Sequence, residues 1–318
     1  MRILLWHVHG AWTTAFVHGP HQYLIPVTPD RGPDGLGRAR TYTWPASAVE
    51  VTREQAAAAD VDVVVLQRPH ELDRLAAEWL GGRRPGRDLP AVYLEHNAPQ
   101  GRVGEMRHPA ADRDELVVVH VTHFNDLFWD CGTTRTRVVE HGIVDPGYRY
   151  GGELDGAAVV VNEAARRGRV TGTDLLGRFG AHVPLDLFGM GAERLAGIPG
   201  VRSAQDLPQD RLHTEMARRR LYLHPVRWTS LGLSLLEAMH LGMPVVGLAT
   251  TEVVEAVPPE AGVLSTRVEV LAEAARELVA DPERARVMGK AGRAAALARY
   301  GLGRFLDDWD RLLEEVRA

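Results

Sequence analysis

Residues 224–260 hold the groups best suited to bind an anion. A polar, glycine-containing loop over residues 227–232 follows a short apolar strand, and apolar residues at helical spacing then predict a helix over residues 233–240. The first N–H groups of a helix have no intrahelical partner and lie at the positive end of its dipole. The sequence therefore predicts a phosphate site at the backbone of Ser230, Leu231, Gly232 and Leu233.

Glu237 lies about a turn and a half into this predicted helix. A carboxylate at that position can reach past a phosphate and accept two hydrogen bonds from a vicinal diol, such as the hydroxyls of a ribose. The alternative is that Glu237 is an ordinary solvated acid on the helix surface.

After the helix, the apolar residues 244–247 predict a parallel strand that is buried on both faces.

A second set of candidate ligands is the group of arginines at positions 166, 167 and 169. They follow the apolar run of residues 157–161, which predicts a strand. Lys290 is the only lysine of the chain, so a cationic phosphate ligand must be an arginine, whose planar fork suits phosphate oxygens. The alternative is three solvated arginines on a surface loop.

Two glycines, Gly189 and Gly191, follow the predicted strand 183–188. Glycine allows a ligand to approach the backbone closely, so this turn is a candidate nucleotide contact.

In the first half of the chain, Gly10 follows the predicted strand 2–7, and residues 11–14 begin a helix that is predicted to continue through Tyr23. His96 follows the predicted strand 91–94, at the sheet edge where open α/β sheets bind ligands. The alternative is a loop histidine that caps a helix.

His7 and His9 form a possible metal pair, because alternate residues of a strand share a face. Histidines at strand ends more commonly form hydrogen bonds to loops and to the core. No Asp, Glu or His with clear ligand spacing completes a metal site around this pair. A metal-dependent hydrolase based on these two histidines is therefore the least favoured of our hypotheses.

Composition narrows the class of protein. The 318 residues are enough for two domains, and 45% hydrophobic with 25% charged residues is typical of a globular protein. The net charge of −5 does not suggest a nucleic-acid partner. Cys131 is the only cysteine, which favours a cytoplasmic setting, and no apolar run reaches the roughly 18 residues of a membrane span. The first ten residues become polar too soon for a signal peptide and are predicted as a core strand.

The string SLGLSLLEAMHLGMPVVG closely resembles the donor-site signature of retaining glycosyltransferases with the GT-B fold, of the family 4 type (glycosyl transferases group 1). The matching positions are Gly232, Glu237, Ala238, Met239, Gly242, Pro244, Val245 and Val246. The resemblance implies that Glu237 binds the donor ribose and that the amides of residues 230–233 hold the diphosphate. The family has a second Glu eight residues earlier that contacts the sugar, and this chain has Thr229 there.

The resemblance extends, more weakly, to other segments. The family carries an Arg, four residues and then Lys-Gly; Arg166 matches the Arg, and Thr171 stands where the family has Lys. Arg167 or Arg169 can replace the missing cation. His96 resembles a family histidine beside the donor sugar, and Gly10 resembles the glycine loop after the first strand.

The implied fold is GT-B, an α/β fold of two doubly wound, Rossmann-like domains that face a central cleft. Residues 1–150 are expected to form the acceptor-side domain and residues 151–301 the donor domain. The glycine-rich residues 148–154 are the expected linker. Residues 302–318 are expected to form a C-terminal helix that crosses back to the first domain.

The implied activity is transfer of a hexose-type sugar from a nucleotide diphosphate sugar, with UDP or GDP as carrier, to an acceptor hydroxyl with retention. We expect no metal and no cofactor other than the co-substrate. The expected catalytic residues are Arg166 and His96; the expected donor contacts are Gly10, Arg166, Arg169, Thr171, Gly189, Gly191, Thr229, Ser230, Leu231, Gly232, Leu233 and Glu237; and the expected acceptor-side residues are Trp12, Thr13, Thr14 and His96. The alternative is a nucleotide-sugar binding protein without activity, which Thr171 and Thr229 would favour.

Overall fold

The computed structural model describes residues 1–203 and 206–318, which form two compact units. The first unit contains Met1–Val144 and Leu302–Ala318, and the second contains Asp145–Gly301. The second unit begins a few residues earlier than expected. The reason is that the backbone N–H groups of Arg149 and Tyr150 both donate to the carbonyl of Leu241 at 3.1 Å, which ties this segment to the second unit.

The first unit is built on a parallel sheet of seven strands. The strands are β1 (Arg2–Leu5), β2 (Gln22–Pro26), β3 (Ala48–Val51), β4 (Val63–Leu66), β5 (Ala91–Glu95), β6 (Val117–His120) and β7 (Arg135–Val138), in the order β3-β2-β1-β4-β5-β6-β7. The helices between them are α1 (Gly10–Phe16), α2 (Arg53–Ala58), α3 (Ala76–Trp79) and α4 (His123–Phe128). All four residues of β4 and of β6 are buried, as expected of strands covered on both faces.

The first helix is shorter than the sequence predicts. It ends at Phe16, and Tyr23 belongs to β2. Gly19 and Pro20 lie between the two elements. Proline disfavours helical geometry in the residue before it and cannot donate a backbone hydrogen bond, so the helix does not continue past this point.

The last helix, α12 (Leu302–Arg317), packs within the first unit. Trp309 is buried and makes edge-to-face contacts with Trp12 and Phe16, at centroid distances of 5.5 and 5.0 Å. Gly142 lies so close to Phe305 that there is no room for a Cβ atom. Each aromatic pair contributes about 0.5–1.5 kcal/mol beyond its buried area, so this cluster anchors the helix.

The second unit is built on a parallel sheet of six strands. The strands are β8 (Leu154–Val160), β9 (Leu185–Phe188), β10 (Val201–Ser203), β11 (Arg219–His224), β12 (Val245–Leu248) and β13 (Gly262–Ser265), in the order β10-β9-β8-β11-β12-β13. The helices are α5 (Ala164–Arg167), α6 (Leu176–Gly180), α7 (Gln209–Arg218), α8 (Leu233–Leu241), α9 (Val253–Ala256), α10 (Val268–Ala280) and α11 (Pro282–Tyr300). The predicted α/β class with two doubly wound sheets is confirmed.

Helix α8, which carries Glu237, is held in place from behind by α11. Gly289 of α11 lies against the carbonyl of Gly242, with no room for a Cβ atom. The guanidinium of Arg293, also on α11, donates to both carboxylate oxygens of Asp145 at 2.8 and 2.7 Å and to the carbonyl of His240.

Among the described residues, no helix combines the length and the apolar character needed to cross a membrane.

Candidate functional site

Three loops of the second unit meet at the carboxyl ends of β8, β9 and β11. The backbone N–H of Met190 donates to Oδ1 of Asn162 at 3.1 Å, and the N–H of Glu163 donates to the carbonyl of Met190 at 2.8 Å. The N–H of Trp228 donates to the carbonyl of Val170 at 3.2 Å. The strand order reverses between β8 and β11, and such a switch point is where open α/β sheets bind ligands.

Glycines fix the close approach of these loops. Gly172 adopts φ +71° and lies against the carbonyl of Pro225, with no space for a Cβ atom. Gly189 adopts φ +120°, and a Cβ atom there would lie 2.5 Å from the carbonyl oxygen of Val161. Gly191 adopts φ +76°, and the nearest atom to a Cβ there would be Oε1 of Glu163 at 4.0 Å. The predicted nucleotide contact at Gly189 and Gly191 therefore lies on a turn that only glycine adopts without strain.

The predicted phosphate site lies at the start of α8, a helix of nine residues. Gly232 is the N-cap residue in extended geometry, and no side chain caps the helix. Ser230 and Leu231 are buried, whereas Thr229, Gly232 and Leu233 are partly exposed. The backbone at Gly232 and Leu233 is therefore the accessible part of the predicted site.

Glu237 is buried rather than solvated, with only 7% of its surface exposed. The Nε2 of Gln209 donates to its Oε1 at 2.9 Å, and the Nε2 of His213 lies 3.6 Å from its Oε2. The alternative of an ordinary solvated helix acid is therefore wrong. A buried carboxylate is costly unless it has polar partners, and Gln209 and His213 are those partners here.

His224 is a residue of this region that sequence reasoning missed. Its ring is buried at the end of β11, and a Cβ atom on Gly232 would lie 2.8 Å from its Cε1. Within the part of the chain that the structure describes, neither ring nitrogen has a hydrogen-bond partner. Burial lowers the pKa of His224 to about 4, so the ring is neutral at pH 7. A histidine at a strand end carries no local signal of such a contact.

The three arginines of the loop after β8 differ in their surroundings. Arg166 pairs with Glu163 at 3.2 Å, and its side chain is 69% exposed. Arg169 is 79% exposed and lies 3.6 Å from Asp174. Arg167 is partly buried, and burial together with the neighbouring Arg166 lowers its pKa. Among the described residues, no carboxylate lies within ion-pair distance of Arg167.

Thr171, which stands where the resembling family has Lys, is buried. Its hydroxyl donates to the carbonyl of Gly168 at 3.2 Å, within the same loop. This threonine stabilises the loop instead of presenting its hydroxyl to a ligand. The predicted contact of Thr171 with a diphosphate therefore has no support from the position of its side chain.

His96 lies among aromatic and polar side chains of the first unit, of which Trp12 is the other predicted site residue. Its ring lies 4.0 Å from that of His9 and 5.3 Å from that of Trp12, measured between centroids. Its Nε2 is 3.1 Å from Oε1 of Gln67. Burial, then the proximity of His9 and His141, holds the pKa of His96 well below its usual value. His96 is therefore a neutral hydrogen-bonding group at pH 7, and its catalytic role stays a prediction.

The predicted acceptor-side residues of α1 are buried inside the first unit. Trp12 is 1%, Thr13 0% and Thr14 6% exposed. The hydroxyl of Thr14 donates to the carbonyl of Gly10 at 2.7 Å and accepts from Nε1 of Trp44 at 2.8 Å. All three side chains are therefore buried in this structure.

The structure shows no further metal ligands beside the predicted pair of His7 and His9 among the residues it describes. The Nδ1 of His7 lies 3.0 Å from the carbonyl of Gly37, and its ring packs against Trp44. Across the described residues, no group of three or more His, Cys, Asp or Glu side chains is arranged to hold a metal ion.

Comparisons with known proteins agree with this geometry. Residues 193–295 match the family model described as "Glycosyl transferases group 1". Among solved structures, sucrose-phosphate synthase from Thermosynechococcus elongatus matches with a TM-score of 0.74 and 16% identity, over 99% of this chain and 98% of that chain. The chain has the GT-B fold. The predicted resemblance to GT-B glycosyltransferases is confirmed.

Two further solved structures match over the same extent of the chain. HepE from Anabaena, solved in complex with UDP-glucose, matches with a TM-score of 0.72 and 16% identity over 99% of this chain and 100% of that chain. A glycosyltransferase from Rickettsia africae matches with a TM-score of 0.65 and 12% identity over 99% and 98%. At these identities the likeness establishes the fold. No curated protein matches the sequence significantly.

The matched family segment includes the loop before α8, the uncapped start of that helix and Glu237. It does not include the arginines after β8 or any residue of the first unit. The roles of Arg166, Arg169, His96 and Gly10 therefore stay predictions within the GT-B fold.

Proposed function

We propose that this GT-B chain is a retaining hexosyltransferase of the family 4 type that takes its sugar from a nucleoside diphosphate sugar. The observation that carries the proposal is the buried carboxylate of Glu237, about a turn and a half beyond the N-cap of α8 and inside the segment that matches the family model. In this proposal Glu237 accepts hydrogen bonds from the ribose hydroxyls, and the backbone at Gly232 and Leu233 binds the diphosphate.

The cations of the loop after β8 complete the diphosphate site in our proposal. Arg167 is the strongest candidate because it is partly desolvated and has no carboxylate partner among the described residues. A bound diphosphate supplies the missing counter-charge. Arg166 and Arg169 are exposed and can add charge from the rim of the loop.

The reaction needs little acid–base chemistry from the side chains. The bond between the anomeric carbon and the diphosphate oxygen breaks, and a bond from the acceptor oxygen to that carbon forms. The acceptor proton passes to an oxygen of the departing diphosphate. Arginine and helix-start N–H groups stabilise the negative charge that grows on the leaving group, which is commonly the largest catalytic contribution. We propose that this charge stabilisation requires neither a metal ion nor a further cofactor.

The donor is proposed to be a UDP-sugar, with UDP-glucose as the first compound to test. HepE, which has the same fold, was solved in complex with UDP-glucose. Thr229, in place of the family Glu that contacts the sugar, is the position where we expect the sugar preference of this chain to differ.

A two-stage experiment tests the proposal. Thermal shift and calorimetry against UDP, GDP and ADP, alone and as hexose conjugates, identify the donor, since a ligand at a hundred times its Kd adds about 2.7 kcal/mol of stability. Release of the nucleoside diphosphate is then measured with and without a panel of hydroxyl acceptors. We expect acceptor-dependent release in the wild type and a large loss in Glu237→Ala.

The second candidate function, a nucleotide-sugar binding protein without activity, is favoured by Thr171 and Thr229. It predicts tight donor binding with no acceptor-dependent release. Failure of every nucleotide to bind would contradict both functions.

A further inference from the structure

We propose that Gln209 and His213 of α7 hold the Glu237 carboxylate in the orientation that accepts the ribose hydroxyls. This inference rests on the proposed function of Glu237 and adds two positioning residues to it. Neither residue forms part of the sequence pattern that identifies the donor site, because both lie on the helix that precedes β11.

The geometry brings both side chains to one carboxylate. Gln209 and His213 are four residues apart, so they share a face of α7. The amide Nε2 of Gln209 donates to Oε1 of Glu237 at 2.9 Å. The ring Nε2 of His213 lies 3.6 Å from Oε2 of the same carboxylate. Each carboxylate oxygen of Glu237 thus lies next to a different residue of α7.

His213 gives the second observation. It is 4% exposed, and its Nε2 has no hydrogen-bond partner within the described part of the chain. A buried ring nitrogen aimed at a carboxylate from just beyond hydrogen-bond distance completes a bond after a shift of a few tenths of an ångström. We infer that this bond forms when the donor draws the Glu237 side chain into its bound orientation.

The number of acceptor positions on Glu237 fits this arrangement. An ionised carboxylate has about four lone-pair positions. Gln209 uses one, and His213 uses a second when its bond forms. The remaining two suffice for the two hydroxyls of a ribose. The α7 contacts therefore restrict rotation of the carboxylate without occupying the positions that the diol needs.

The backbone around α7 is fixed well enough to serve this role. The carbonyl of Ala217, near its end, accepts from the N–H groups of Gly151 and Gly152 at 3.0 and 3.1 Å. On its exposed side, Asp210 pairs with Arg149 at 2.6 Å. Both ends of the helix are therefore attached to the segment that precedes β8. Of the two positioning residues, His213 is buried and Gln209 is partly exposed.

The test compares nucleotides that differ only in the ribose. Affinities of the full chain for UDP and GDP, each beside its 2′,3′-dideoxy form, are measured by calorimetry for wild type, Gln209→Ala, His213→Ala and the control Thr214→Ala. Thr214 lies exposed on the same helix, and among the described residues its hydroxyl bonds only to the Asp210 carbonyl. His213→Gln and Gln209→Asn are included in case the alanine variants do not fold.

We expect wild type and Thr214→Ala to prefer the ribose form by on the order of tenfold or more. In Gln209→Ala and His213→Ala this preference should fall to a few-fold, with affinity for the dideoxy form nearly unchanged, and Gln at position 213 should restore part of it. An undiminished preference in folded variants at both positions would overturn the positioning role while leaving the ribose role of Glu237 intact. Equal wild-type affinity for the two forms would overturn both.

Discussion

The imidazole of His224 lies directly against the backbone of Gly232, so that a Cβ atom on this glycine would be 2.8 Å from Cε1 of the ring. Gly232 is the N-cap of α8, and His224 ends β11. The contact joins the strand end to the uncapped helix start. It explains why the loop needs glycine here although its φ of −74° is open to any residue.

Replacing Gly232 by alanine should therefore push the loop away from His224. We expect a loss of about 1–3 kcal/mol in the free energy of unfolding, as in other overpacked sites, and weaker binding of nucleoside diphosphates. Gly303→Ala is the matched control, because nothing lies within 4 Å of a Cβ atom there and the residue is in α12. Chemical denaturation and calorimetry measure both effects; a Gly232→Ala variant that behaves like Gly303→Ala would contradict the importance of the contact.

Arg167→Ala should reduce turnover more than Arg166→Ala or Arg169→Ala. Arg167 is partly desolvated, and charge stabilisation of the leaving group is stronger away from water. We expect kcat/KM to fall on the order of ten- to a hundredfold for Arg167→Ala and only a few-fold for the exposed pair. Steady-state kinetics with the three folded variants shows which substitution lowers kcat/KM most. The largest loss at Arg166 would instead favour the assignment from the family resemblance over the one from the structural environment.

Acid should destabilise the protein well before its carboxylates titrate. Burial lowers the pKa of His120 and His224 to about 4 and that of His141 to about 3. The unfolded chain binds protons at these histidines below about pH 6.5, whereas the folded protein does not. Stability is therefore highest above pH 6.5 and falls as the pH decreases from there towards 4, by about 1.4 kcal/mol per pH unit for each such histidine.

Unfolding curves between pH 7.5 and 4.5 measure this slope. His120→Phe removes one buried titrating group outside the donor site and should make the curve less steep, whatever its effect at pH 7.5. A stability that stays constant over this range would show that the buried histidines titrate normally.

Activity should survive chelation. The proposed diphosphate site uses arginines and backbone N–H groups, and no set of metal ligands is present among the described residues. Turnover measured in excess EDTA should equal turnover in buffer. A loss that added Mg²⁺ restores would indicate a metal-bound donor, and a loss restored only by Zn²⁺ would revive the hypothesis based on His7 and His9.

The parts of the fold that sequence predicts well are those with a strong local pattern. The valine-rich residues of β4 and β6 are recognisable as buried parallel strands, and the spacing of apolar residues places α8 to within one residue of its observed end. The end of α1 was predicted wrongly because the apolar pattern continues through the break at Gly19 and Pro20 into β2.

The environment of the candidate site was largely invisible in the sequence. The contact of Glu237 with Gln209 spans 28 positions, and the contact of Arg227 with Asp174 spans 53. Such contacts depend on how α7 and the loops pack on the sheet and leave no local periodicity. For the same reason, the burial of Thr171 and the differing exposure of the three arginines could not be predicted from their types.

Calorimetric titration of wild type and Glu237→Gln with the nucleoside diphosphate that binds most tightly tests the central claim most directly. Glutamine keeps the shape of the side chain but removes the charge that strengthens hydrogen bonds from a diol. Thermal unfolding of both proteins checks that the variant is folded as the wild type is. We predict a loss of affinity of about 1.5–3 kcal/mol, which corresponds to a Kd raised by on the order of ten- to a hundredfold. An unchanged Kd in a folded Glu237→Gln protein would contradict the assignment of this helix as the donor site.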